Sequence, residues 1–178
     1  MKVIKTKFSG LKIIQQKKFG DSRGSLRETF RKKIIKWDNL IFDYATLSKK
    51  NVLRGFHFNS KYPQAKYVTV LRGKILDYVI DLRKKSKTFG KSFSIVLSED
   101  NCKSLYIPEG FGHAYYSFAK LNLIYYKLSN YYKPKFESGI VWNDKHLKLK
   151  WPTNKPILAK RDTKWGTFID FKKIYKGF

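Results

Sequence analysis

Short runs rich in Val, Ile, Tyr and Phe recur along the chain: LKIIQQ, SLRETF, YVTVLRG, KILDYVIDL, SFSIVLS, SLYIPEG, HAYYSF and LIYYKLS. Turn signals such as GDSRG, SKTFGK, SEDN and PEGFG separate them. β-Branched and aromatic residues suit a pleated, half-buried surface, and Gly, Asn and Asp relieve the backbone where it reverses. No helical period is sustained between about Leu40 and Leu128, so the pattern predicts an antiparallel β-sandwich or barrel. In KILDYVIDL, alternation places Ile75, Asp77, Val79 and Asp81 on one face and Leu76, Tyr78, Ile80 and Leu82 on the other.

Helix signals are few. RKKIIKW and TFIDFKKIY each suit one short helix, whereas NYYKPKFESG and WPTNKPILAKRD carry proline breaks and read as extended or looped cover over one end of the barrel. The expectation is an all-β jelly-roll barrel or β-sandwich with a few short peripheral helices, forming one domain over residues 1–178. Hydrophobic residues at 42% and aromatics at 17% exclude a disordered polycation. No apolar run approaches the roughly 18 residues of a membrane span, and MKVIKTKFSGLKIIQQKK lacks the apolar centre of a signal peptide. A cytoplasmic protein without membrane contact is expected. Cys102, the single cysteine, has neither a disulfide partner nor a CxxC mate and is expected to be a buried small hydrophobe.

The net charge of +26 points at first to a polyanion partner. The 39 basic residues include only seven Arg, and the lysines occur in nearly every segment. Phosphate and base-edge recognition favours the Arg fork and a clustered face, so no specific nucleic-acid binding is expected, and composition bias is the blander reading of the lysines. More informative are polar residues in strand-like runs. His57 follows Arg54 and Gly55, Lys66 sits in PQAK, PEGFGH delivers His113, and YYKLSNYY supplies four tyrosines within eight residues. Small barrels are filled by aliphatic side chains, so inward His, Lys, Arg and Tyr mark a polar ligand cavity.

VLRGFHF, PQAKYV, DLRKKSKTFGK, IPEGFGHAYYSF, YYKLSNYYKP and WNDKHLKLKWP together resemble the dTDP-4-dehydrorhamnose 3,5-epimerase family, over about Gly20 to Asp162. The resemblance implies a cofactor-free jelly-roll cupin, working as a homodimer on a nucleotide-diphosphate sugar in rhamnose-type deoxysugar biosynthesis for surface polysaccharide. Metal-dependent cupins resemble a pattern of two His one residue apart, a following Glu and a third His. This chain has His57-Phe58-Asn59 and no Glu between His57 and Gly73. Two imidazoles fall short of the three-ligand open site of a catalytic metal, so no metal is expected.

In the substrates the resemblance implies, C3 and C5 flank a C4 ketone, and removal of either hydrogen gives an enolate. Such a C–H is a weaker acid than imidazolium by on the order of ten pKa units, roughly 14 kcal/mol, which a base alone cannot supply. A fixed cation at the enolate oxygen can supply much of it. The resemblance assigns His57 as proton acceptor, Tyr126 as proton donor on the other face, Asp162 as the carboxylate that orients His57, and Lys66 as the cation at the 4-keto oxygen with His113 nearby. It assigns Arg23 and Arg54 to the diphosphate, Arg23 reaching the partner subunit's site. Glu28, Asp43 and Glu137 become substrate contacts, Tyr132 the ring that stacks on the base, and Arg161 a cation where lysine is common. The departure is IFDYATLS, where Phe42 and Tyr44 replace the Gln and Asn that commonly flank the Asp. Two alternatives stand beside the 3,5-epimerase: a relative that inverts one centre or moves the keto group on another nucleotide sugar, and a basic polyanion binder. The keto-isomerases resemble RGxHAH, which RGFHF does not match.

Overall fold

The computed structural model describes residues 1–35, 39–175 and 178. Thirteen strands follow one another in these residues: β1 (Lys2–Lys5), β2 (Lys12–Gln15), β3 (Lys18–Asp21), β4 (Gly24–Arg27), β5 (Phe42–Lys49), β6 (Leu53–Asn59), β7 (Lys66–Arg72), β8 (Lys74–Asp81), β9 (Ser92–Ser98), β10 (Lys103–Ile107), β11 (Phe111–Ser117), β12 (Leu121–Leu128) and β13 (Glu137–Gly139). One helix, α1 (Phe168–Ile174), and two 3-10 turns, Pro134–Phe136 and Lys160–Thr163, complete the set. Two antiparallel sheets face each other, in the orders β1-β2-β10-β7-β12-β5 and β13-β6-β11-β8-β9, and β3-β4 forms a separate hairpin. This is the expected all-β cupin sandwich with minor peripheral helix.

Alternation decides what lies between the sheets. Val68, Val70, Ile124 and Leu128 of one sheet meet Ile75, Val79, Phe111 and Tyr115 of the other in the central core. The outer face of the five-stranded sheet is also covered: Phe56, Phe58, Tyr78, Ile80 and Leu82 pack under Phe168 and Phe171 of α1. Both faces of β8 are therefore dry, and its two predicted residue sets separate as expected. Thr167 caps α1 reciprocally with Asp170, which fixes where the TFIDFKKIY helix begins. Residues 32–34 form a turn where the RKKIIKW helix was expected, and Lys36 and Trp37 of that stretch lie outside the described residues. The strand Phe42–Lys49, absent from the runs recognised in the sequence, pairs with β12 over its full length and closes one edge of the six-stranded sheet. Cys102 is buried, as expected, its thiol donating to the Glu99 carbonyl at 3.3 Å. Among the described residues, no helix is long and apolar enough to cross a membrane.

Candidate active site

Toward one end of the sandwich the aliphatic filling gives way to a cavity of about 500 Å³, within the size range of small-molecule sites. A backbone irregularity in β6 helps to build it. His113 pairs with His57 and Tyr115 with Arg54, so two residues, Gly55 and Phe56, oppose Ala114 alone. Such a bulge resets side-chain parity. Arg54 and His57, which a regular strand would send to opposite faces, both line the cavity. Gly55 is required there: its φ is +117°, and a Cβ would lie 2.5 Å from the His113 carbonyl oxygen.

His57 Nε2 lies 2.7 Å from Asp162 Oδ1, and Nδ1 lies 3.8 Å from Glu137 Oε1. Asp162 is buried on the 3-10 turn Lys160–Thr163, where Trp165 Nε1 donates to it at 3.3 Å. Burial pushes the Asp162 carboxyl up, but the His57 bond and charge, the Gly55 N–H and Trp165 outweigh this and hold it below the usual carboxylate range. Beside His57 in the ladder, His113 Nε2 is 2.8 Å from Asp77 Oδ2. Asp77 is fully buried and its carboxyl is pushed up by that burial, with His113 and Lys66 opposing.

The opposite wall comes from the six-stranded sheet. Lys66 begins β7, is 9% exposed, and has its amine pushed down to about 8 by burial, against the pull of Glu137 and Asp77. Tyr126 of β12 is 3% exposed, and its phenol is raised well above the usual range, first by burial and then by Tyr115, Tyr44 and the Asp77 charge. Its ring meets the edge of His113 at 6.0 Å across the gap between the sheets. Nearer the mouth, Glu137 accepts from the Tyr132 hydroxyl at 2.8 Å and from Arg161 Nη1 at 2.7 Å, and Arg54 Nε donates to Ser48 Oγ at 3.1 Å.

The cavity thus gathers His57, Lys66, Tyr126, Arg54, His113, Tyr132, Glu137 and Arg161, with Asp162 directly behind His57. Three expected site residues lie elsewhere. Arg23 sits at the tip of the β3-β4 hairpin and pairs with Asp21 at 2.7 Å; Glu28 pairs with Arg31 just beyond it. Asp43 points to the other face of β5, where Tyr125 and Lys127 bond it. Phe42 and Tyr44 do face the cavity. Sequence reasoning missed Asp77, although an Asp sharing a strand face with Ile75 and Val79 was its signal. It also gave no role to Asn59, which lines the cavity with its Nδ2 buried and without a hydrogen bond. Among the described residues, no group of three or more His, Cys, Asp or Glu converges as a metal ion would require.

Comparison with known proteins gives a concordant picture. The family model described as dTDP-4-dehydrorhamnose 3,5-epimerase matches residues 5–170. The enzyme of that name from Shigella flexneri is 36% identical over 176 residues, covering 96% of this chain and 97% of its own. A crystal structure of dTDP-4-dehydrorhamnose 3,5-epimerase from Bacillus anthracis with TDP and PPi bound superposes with a TM-score of 0.89 at 34% identity, over 93% of this chain and 98% of that one. A dTDP-6-deoxy-D-glucose-3,5-epimerase from Legionella pneumophila, in complex with dTDP-4-keto-L-rhamnose, gives 0.90 at 33% identity, over 97% and 94%.

Proposed function

We infer the mechanism from the premise that this chain belongs to the dTDP-4-dehydrorhamnose 3,5-epimerase family: it is an isomerase that inverts carbons flanking the ketone of a nucleotide-linked 4-keto-6-deoxy sugar, in rhamnose-type deoxysugar biosynthesis. The observation that carries the reading is one cavity holding a carboxylate-backed imidazole on one sheet and a buried amine and phenol on the other.

His57 takes the proton from C3 or C5, and the C–H electron pair moves into the ring as the C4 oxygen gains negative charge. Asp162 holds the imidazole and stabilises the imidazolium that forms. Lys66, protonated at neutral pH, faces the developing enolate in a site shielded from water, where a charge is worth far more than in bulk solvent. Tyr126, kept neutral by its raised pKa, delivers a proton to the opposite face as the enolate collapses back to the ketone. The phenolate and imidazolium then exchange protons with solvent before the next turnover. The Arg54 and Arg161 guanidiniums suit the diphosphate, and Tyr132, 45% exposed at the mouth, suits stacking on the base.

The enzyme is further proposed to act as a homodimer in which the β3-β4 hairpin of one subunit brings Arg23 and Glu28 to the partner's cavity. The hairpin joins neither sheet, and Phe19 and Leu26 on it are 59% and 67% exposed, more apolar surface than a free two-stranded ribbon keeps comfortably. The test is incubation with dTDP-linked 4-keto-6-deoxyglucose in D2O, following C3 and C5 by NMR. Deuterium entry with inversion at one or both carbons is expected; no exchange at either, on this or other nucleotide-linked 4-keto-6-deoxy sugars, would sink the reading.

A further inference from the structure

We propose that Tyr44 is a positioning residue, whose ring, stacked on Tyr126 across the β5-β12 pair, fixes the direction in which the Tyr126 hydroxyl delivers its proton. The proposal rests on the reading of Tyr126 as proton donor. Tyr44 and Tyr126 are directly opposed in the ladder, with ring centroids 4.9 Å apart and planes inclined by only 21°. A buried tyrosine is ordinarily oriented by a hydrogen bond to its hydroxyl. The Tyr126 hydroxyl makes none with any described residue. The torsion that turns a tyrosine ring is broad, so the surrounding walls decide its setting. Tyr126 belongs to the central core cluster, and its aromatic walls there are Tyr44 on the ring face and His113 at the edge, 6.0 Å away at 69°.

Tyr44 is itself braced. Phe42 lies 5.8 Å from it and Tyr131 lies 5.9 Å from Phe42, so a row of rings runs from the mouth to the donor. That row matters because β5 is an edge strand, with a ladder neighbour on one side alone. The apolar ring contact, not the Tyr44 hydroxyl, does the holding, and Tyr44 neither gives nor takes a proton in the reaction.

The test compares Tyr44→Ala and Tyr44→Phe with wild type in D2O on dTDP-linked 4-keto-6-deoxyglucose, reading exchange and inversion separately at C3 and C5. In Tyr44→Ala, exchange through His57 persists while inversion falls roughly 10–100-fold, as expected when a reacting group is displaced by about 1 Å; Tyr44→Phe restores the wild-type ratio. Equal loss of exchange and inversion in Tyr44→Ala, no loss of either, or a Phe variant as impaired as Ala would overturn the proposal. A second readout needs no turnover: 19F NMR of protein carrying 3-fluorotyrosine, with the Tyr126 line identified by its loss in Tyr126→Phe. One narrow line is expected in wild type and Tyr44→Phe, and a broadened or split line in Tyr44→Ala; an unchanged line in the Ala variant refutes the proposal. Should Tyr44→Ala fail to fold, Tyr44→Leu keeps bulk without the flat face and serves the same comparison. A wild type that turns over no nucleotide sugar would refute the epimerase reading, while the 19F result would still decide the ring's support.

Discussion

Asp162 and His57 stand 105 residues apart in sequence and 2.7 Å apart in space, joined by the only hydrogen bond the imidazole makes among the described residues. Because that bond ties up Nε2, Nδ1 is the nitrogen left to accept the proton in the proposed mechanism. Asp162→Asn replaces an acceptor by a group that can donate, and holds the ring in the wrong tautomer. Exchange and inversion should fall together, by up to about 10⁴-fold in kcat, as for other carboxylate-backed histidines. A variant with near-normal exchange would show that Asp162 only fills space. The same carboxyl is held low in the folded chain, so it contributes stability above the ordinary carboxylate range that is lost on acidification through its folded pKa. Urea titrations from pH 6 downward should therefore show a shallower acid loss in Asp162→Asn.

Lys66 should make activity and stability respond oppositely. Its amine is pushed from 10.5 to about 8, so the charge that the proposed mechanism sets against the enolate disappears as pH rises through about 8. The rate should fall over that interval in a pH–rate profile, and Lys66→Met should be inactive at every pH. Between about 8 and 10.5 the unfolded chain binds a proton that the folded chain does not, so this group favours folding more as pH rises and opposes it at pH 7. Lys66→Met should accordingly gain up to about 3 kcal/mol at pH 7, from 1.36 kcal/mol per pKa unit, measured by denaturant unfolding. Activity retained with no gain in stability would mean that the amine does not carry a buried charge.

Tyr126→Phe removes one oxygen and leaves the ring contacts with Tyr44 and His113 in place, so folding should be preserved. With His57 and Lys66 intact, deuterium should still enter the sugar, but through reprotonation on the original face. Inversion should fall by roughly 10²–10⁴, the usual contribution of a positioned acid. If exchange is lost as completely as inversion, the phenol is needed before the enolate forms and the division of labour is wrong.

Alternation and turn chemistry made most strands legible in the sequence, because burial of one face imposes a period of two that survives without any partner in view. Phe42–Lys49 escaped notice since its inner face carries Tyr44 and Thr46 at the cavity wall and a buried Ser48 beyond them, not an aliphatic row. RGFH was legible as chemistry but not as geometry: that Arg54 and His57 share a face depends on the bulge at Gly55, which exists only against β11. Asp77 reads as an isolated polar residue until His113 is folded onto it from 36 residues away. The Tyr44–Tyr126 stack, likewise, follows from the β5-β12 register, which the two strand sequences alone do not determine.

The hairpin that carries Arg23 allows a test of the homodimer that does not depend on measuring size. Within one chain Arg23 reaches Asp21, and the structure places it outside the cavity lining. If the hairpin serves the partner's cavity, Arg23→Ala damages the neighbour's site, whereas His57→Ala damages its own. Loss of Arg23 should raise KM by roughly 10–100-fold, the scale of one charge-assisted hydrogen bond of about 1.5–3 kcal/mol, with kcat little changed. His57→Ala should be inactive throughout. In a two-fold dimer each interface contact occurs twice, so mixing the two variants and letting subunits exchange yields mixed dimers with both lesions in one site and none in the other. Assayed at substrate well below the Arg23→Ala KM, the mixture should recover about a quarter of wild-type activity, the share of intact sites under random pairing. The Asp21 pair is exposed and worth little, so its loss does not compete with this readout. No recovery, with subunit exchange confirmed by differently tagged chains, would place the Arg23 effect within its own subunit and remove the shared-site dimer.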